Sequence, residues 1–155
     1  LLSMAGDKIK VFLSSDHAGF ALKEKIKSYL EKLKIDYEDI GPYKYVKEDD
    51  YPDYAFRVAD KVAQNKNYLG ILICGTGTGM TIAANKVKGI RAVAPYDTYS
   101  AKMSRHDNNA NILGLRGRNF PFSKIKNIVR IWLKTEFSNK ENHKRRLKKI
   151  SLYEK

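Results

Sequence analysis

The chain has 155 residues, 43% of them hydrophobic, which suffices for one domain with a full core and excludes an intrinsically disordered chain. No apolar run approaches the ~18 residues of a membrane span, and a single cysteine excludes an internal disulfide. Thirty Lys and Arg against 17 Asp and Glu give a net charge of +13, open to three readings: a nucleic-acid surface, a site for phosphorylated small molecules, or a lysine-rich solvated exterior. No signal-peptide pattern opens the chain, so a cytoplasmic location is expected. Leu1, Leu2 and Ser3 read as an expression remnant ahead of a native start at Met4, leaving a single domain over residues 4–155.

Residues 9–13 read as a buried first strand that ends at Ser14-Ser15-Asp16-His17-Ala18-Gly19. A helix over 20–33 follows, with Leu22, Ile26, Tyr29, Leu30 and Leu33 on one face. Residues 35–40 form a weaker strand stopped by Gly41-Pro42, and 43–51 are a polar loop. Pro52 opens a second helix to about residue 63. Leu69-Gly70-Ile71-Leu72-Ile73 is a buried strand running into Cys74-Gly75-Thr76-Gly77-Thr78-Gly79. A helix over 81–87 ends at Gly89. Residues 90–94 are a short strand, Asp97 caps a helix over 99–105, and 112–115 are the last strand. Pro121 starts a helix to Lys134, and the basic tail forms a final one. Strand and helix alternate, which predicts an α/β fold, a five-stranded parallel sheet with helices on both faces. Ligands of such sheets bind beyond the C-terminal strand ends, where Asp16, His17, Cys74, Thr76 and Asn111 are candidates.

The Cys74 turn carries the strongest signal. Glycines let backbone N–H groups converge, and the following helix N-terminus adds a positive dipole end, so the turn is an anion cradle. A thiol placed there is activated as a base or nucleophile. The competing reading is a buried structural cysteine. The spacing fits neither a phosphate-binding Gly-Lys-Ser/Thr loop nor the dinucleotide glycine pattern. Asp16-His17 offers an acid/base pair or a phosphate contact, or simply a helix cap. His106-Asp107-Asn108 is dense in donors and acceptors at a helix-to-strand junction, where turn chemistry is the plain alternative. Arg116-Gly117-Arg118 leaves the last strand at the ligand edge, and Arg145 and Arg146 in the tail can grip phosphate through paired bonds.

These residues together resemble the ribose-5-phosphate isomerase B family, which also includes galactose-6-phosphate isomerase subunits. The resemblance rests on residues 15–19, on Asp50-Tyr51-Pro52-Asp53-Tyr54-Ala55, on residues 70–80, on 82–86, on 89–92 and on 111–113. It implies a Rossmann-like three-layer sandwich, a homodimer or tetramer with sites at the subunit interface, no membrane or specific nucleic-acid partner, and no metal or other cofactor. It implies interconversion of ribose 5-phosphate and ribulose 5-phosphate through an enediolate, with a six-carbon sugar phosphate as the alternative within the family; the basic tail and the anion loop leave a non-catalytic nucleotide- or nucleic-acid-binding module as the alternative from another class.

In that family's cysteine-using branch the residue at Cys74 is the base. Another branch uses a glutamate where this chain has Met80, which cannot take a proton. The resemblance makes Thr76 a proton-transfer aid and Gly75, Gly77 and Gly79 the lining of an anion hole. It makes Asp16 and Tyr51 sugar contacts, and His17, Arg146 and the neighbouring subunit's Arg118 phosphate contacts. The family's ring-opening histidine precedes Asn108, a substrate contact. Here that position is Asp107, with His106 one residue earlier, and either is a candidate for ring opening. Asn142 stands where many members have a phosphate-binding arginine, so the phosphate grip is expected to be weaker or shared with Lys144 or Arg145.

Overall fold

The computed structural model describes residues 8–154; the proposed remnant at 1–3 and start at 4 lie outside them. The strands are β1 (Lys10–Ser15), β2 (Asp36–Asp39), β3 (Tyr68–Cys74), β4 (Ala92–Val93) and β5 (Ile112–Arg116). The helices are α1 (Phe20–Lys32), α2 (Tyr51–Val62), α3 (Thr78–Ala84), α4 (Thr98–His106), α5 (Phe122–Lys134) and α6 (Glu141–Tyr153). The strands form one parallel sheet in the order β2-β1-β3-β5-β4.

Alternation along the strands builds two cores. Val11 and Leu13 of β1, with Leu69, Ile71 and Ile73 of β3, pack under α1, α4 and α5. Phe12, Leu72 and Cys74 point the other way, against α2 and α3. This is the expected three-layer sandwich, because a strand side chain changes face at every residue. α1 and α3 therefore leave β1 and β3 toward opposite faces. Their departure opens a crevice above the C-terminal ends of these two adjacent strands, where parallel sheets bind ligands.

Element ends differ from expectation in two places. α3 starts at Thr78, three residues early, because Gly77 takes up the turn in a left-handed conformation (φ +81°) and the helix begins immediately after it. β4 keeps only two of five expected residues. Ahead of it, Arg91 N–H donates to the side chain of Asn111 at 2.7 Å, and its guanidinium donates to the Asn109 carbonyl at 2.8 Å. No helix among the described residues is long and apolar enough to cross a membrane.

Candidate active site

Two chain segments meet at the crevice. The Asp16 carboxylate accepts the Gly19 N–H at 3.0 Å, and the Asp16 N–H donates to the Ile73 carbonyl at 3.1 Å, one residue before Cys74. Asp16 is thus both the turn cap and a carboxylate facing the site. Burial holds it above the usual carboxylate range, against the opposing pull of the Gly19 N–H.

Cys74 ends β3 and is buried. Its Sγ accepts the Gly77 N–H at 3.1 Å, so the turn folds back over the sulfur. A Cβ at Gly77 would lie 3.0 Å from the Leu115 carbonyl carbon, and one at Gly79 would lie 2.7 Å from the Tyr51 ring and 3.1 Å from its hydroxyl. The glycines are thus required by close approach as well as by the turn, and Tyr51 at the start of α2 reaches the first turn of α3. Thr76 is exposed at the tip, its Oγ1 2.7 Å from that of Thr78. Met80 is fully buried among Cys74, Leu72 and α2, so the apolar core occupies the place of the alternative base.

His17 is held by a residue that the sequence left in a default loop. Its Nδ1 lies 2.7 Å from Asp49 Oδ1, and its backbone N–H donates to the same oxygen at 3.2 Å. Asp49 is almost completely buried, with Oδ2 unpartnered. The pair fixes the orientation of the ring and turns Nε2 away from Asp49. A carboxylate 32 positions from its histidine leaves no local signature.

Arg118 stands beside the same glycine turn. It lies against its own chain's Gly75: its N–H donates to the Gly75 carbonyl at 3.2 Å, and a Cβ at Gly75 would sit 3.2 Å from its Nη1. The Gly117 N–H also donates to the Cys74 carbonyl at 2.8 Å. Residues 116–118 thus wrap the end of β3 and place the guanidinium beside the chain's own thiol loop.

The remaining candidates stand at the opposite edge of the sheet. α4 starts after β4 and runs back, so His106 ends it and Asp107 caps it near the beginning of β5. The Ser138 N–H donates to the His106 carbonyl at 3.0 Å, and α6 then crosses this edge until Glu154 accepts the Gly89 N–H. Asn108 and Arg146 are exposed here. Asn111, expected among ligand-edge residues, also belongs here, because it opens β5 and its carbonyl accepts the Gly70 N–H at the beginning of β3. Gly70 pairs with Ile112 and Cys74 with Arg116, so four residues of strand, about 13 Å, separate the edges. Within one chain the structure gathers Asp16, His17, Tyr51, Cys74 to Gly79 and Arg118, and leaves His106, Asp107, Asn108 and Arg146 apart.

A thiol under the Gly77 N–H of a glycine turn, beside a carboxylate, a histidine and an arginine at a parallel-sheet crevice, defines an enzyme-like site for a small anionic substrate. Comparison with known proteins makes this particular. A family model described as Ribose/Galactose Isomerase matches residues 11–150. A Bacillus subtilis protein named as a sugar phosphate isomerase is 47% identical over 146 residues, covering 94% of this chain and 97% of that one. A Mycoplasma genitalium protein named as a probable ribose-5-phosphate isomerase B is 44% identical, covering 94% and 95%. The crystal structure of ribose-5-phosphate isomerase B from Mycoplasma genitalium with bound ribulose-5-phosphate superposes with a TM-score of 0.91 at 43% identity, covering 96% and 98%. The chain belongs to the ribose/galactose isomerase family, a family of aldose–ketose isomerases.

Proposed function

We propose that the protein interconverts ribose 5-phosphate and ribulose 5-phosphate, with Cys74 as the base. The observation that carries the reading is the Cys74 sulfur at the end of β3, folded under the Gly77 N–H in a glycine turn. The likeness to a structure holding ribulose-5-phosphate supports the substrate class. In the aldose direction the Cys74 thiolate takes the proton on C2, and the C–H electron pair becomes the C1–C2 double bond of an enediolate. The glycine turn and the N-terminus of α3 supply the anion hole for the developing negative charge, the largest electrostatic contribution to such a step. Thr76 helps the hydroxyl proton pass from O2 to O1. Cys74 then returns its proton to C1, giving the ketose with no net change in the enzyme. Asp16 and Tyr51 hold sugar hydroxyls, and His17 and Arg118 hold phosphate.

Completion of the site rests on a second copy of the chain. Ring opening needs an acid and a tight phosphate grip needs further cations, yet Asp107 and Arg146 stand at the far edge of their own sheet. In a pair of chains related by a two-fold axis, the far edge of one meets the near edge of the other, and both sites are completed at once. Asp107 or His106, Asn108 and Arg146 then act on the partner's substrate, while Arg118 acts on its own.

The test is Cys74→Ala with ribose 5-phosphate and, for contrast, a six-carbon aldose 6-phosphate. Turnover and C2 proton exchange fall roughly 10²–10⁴-fold, the usual contribution of a general base, while the dissociation constant for sugar phosphate changes little. Near-normal turnover in the variant rules Cys74 out, and preference for the six-carbon sugar moves the substrate to the family's other branch.

A further inference from the structure

We propose that His106, Asp107 and His143 form a binding site for a divalent transition-metal ion, Zn²⁺ in the first instance. The cluster joins two parts of the chain. His106 is the last residue of α4, Asp107 its cap, and His143 lies in the first turn of α6. The 135–140 segment brings them together: the Arg105 guanidinium donates to the Thr135 carbonyl at 3.2 Å, and the Ser138 N–H to the His106 carbonyl at 3.0 Å.

His106 Nδ1 lies 2.7 Å from Asp107 Oδ1, and His143 Nε2 lies 3.8 Å from the same oxygen. One ligand atom from each residue falls within 4.8 Å of the other two. The imidazole rings stand 6.0 Å apart at 77° to each other. His143 is the anchor. It is only 9% exposed, and its Nδ1 lies 2.6 Å from Ser138 Oγ, which leaves Nε2 turned toward Asp107. A ligating imidazole characteristically has its other ring nitrogen held in this way.

Two imidazoles and one carboxylate suit Zn²⁺ and neighbouring first-row ions, not Mg²⁺ or Ca²⁺, which prefer oxygen donors. Tetrahedral bonds of about 2.0–2.1 Å put donor atoms about 3.3 Å apart. The shorter observed spacing must open and the longer one close, each by about half an ångström. His106 and Asp107, at 35% and 40% side-chain exposure, have room to do this around the fixed His143.

The other such cluster, Asp16, His17 and Asp49, is a weaker candidate. There Asp16 is committed to the Gly19 N–H and His17 to Asp49.

One consequence rests on the proposed function. An ion on Asp107 withdraws it from ring opening, so Zn²⁺ slows turnover of the cyclic aldose phosphate. The site itself is tested without reference to activity. Co²⁺ is titrated into the full-length protein and its ligand-field absorption recorded. Zn²⁺ affinity is measured by competition with a chromophoric chelator. The cysteine is controlled by repeating both with Cys74→Ser. One ion binds per chain, and binding persists in Cys74→Ser. His106→Ala and His143→Ala each abolish the absorption, and Ser138→Ala weakens affinity about tenfold, as loss of a supporting partner does. His106→Ala, at a half-exposed position, keeps the test valid if His143→Ala does not fold. Absence of absorption, its loss in Cys74→Ser, or its survival in His106→Ala overturns the proposal. A protein that binds Zn²⁺ as described but turns over unaffected keeps the site and contradicts the role given to Asp107.

Discussion

Asp49 shows how a residue without a role of its own sets the geometry of one that has one. It takes two hydrogen bonds from His17 and sits buried with one oxygen unpartnered. Asp49→Ala removes both bonds and frees the ring, so KM for the sugar phosphate rises about tenfold while kcat changes less. Asp49→Asn keeps an acceptor oxygen at the same place and falls between the variant and the wild type. Steady-state kinetics on both variants checks this ranking; equal KM values in all three proteins contradict it. The cysteine, its glycines, Asp16 and His17 were legible because they are contiguous and each needs its neighbours to work. Asp49 and His143 were not, because each meets its partner 32 or more positions away.

Among the elements, the glycine turn and the β2 edge carry testable strain and charge. Gly77 is at φ +81° with the Leu115 backbone at contact distance. Gly77→Ala costs about 1–2 kcal/mol for the left-handed backbone alone, before the clash, and it moves the N–H that Cys74 accepts. A denaturation midpoint unchanged from wild type contradicts this. At the other side of the sheet, Lys23 is fully buried and donates to Asp39 at 2.9 Å, while Lys27 donates to the other Asp39 oxygen at 2.9 Å.

Burial alone raises the Asp39 carboxyl, but the two lysines and the Gly41 N–H outweigh it and hold it below the ordinary value. A depressed carboxylate contributes stability that is present above the unfolded value of about 3.9 and is lost as pH falls through the folded one. Asp39→Ala strands a buried ammonium and costs about 3 kcal/mol near neutral pH, and it flattens the acid limb of the stability profile. Denaturant unfolding at pH 7 and below pH 4 measures both effects. Asp16 has the opposite sign: burial raises its carboxyl, so its contribution is largest below about pH 3.9 and declines as pH rises through the folded value.

At the scale of the whole molecule, alternating apolar strands and amphipathic helices were enough to read the five-stranded sheet with helices on both faces. They did not tell which edge each late element reaches. α4 was read correctly as a helix capped by Asp97, whose carboxylate accepts the Ser100 N–H at 2.7 Å. Only its direction across the sheet shows that Asp107 leaves the ligand edge. Arg118, which the resemblance makes a phosphate contact for the neighbouring subunit, is placed within its own chain by two backbone bonds. Hydrogen bonds from residues 117 and 118 to the Cys74 and Gly75 carbonyls fold it back onto its own loop.

The proposed division of the site is tested most directly by mixing inactive variants. One chain carries Cys74→Ala, and the other carries Asp107→Ala with Arg146→Ala. After subunit exchange, each mixed dimer has one site with the thiol from one chain and the intact far edge from the other. Activity returns to about a quarter of wild type, since half of the dimers are mixed and each has one working site of two. Cys74→Ala mixed with Arg118→Ala restores nothing, because both residues belong to the same half. Recovery in the second mixture and none in the first contradicts the account.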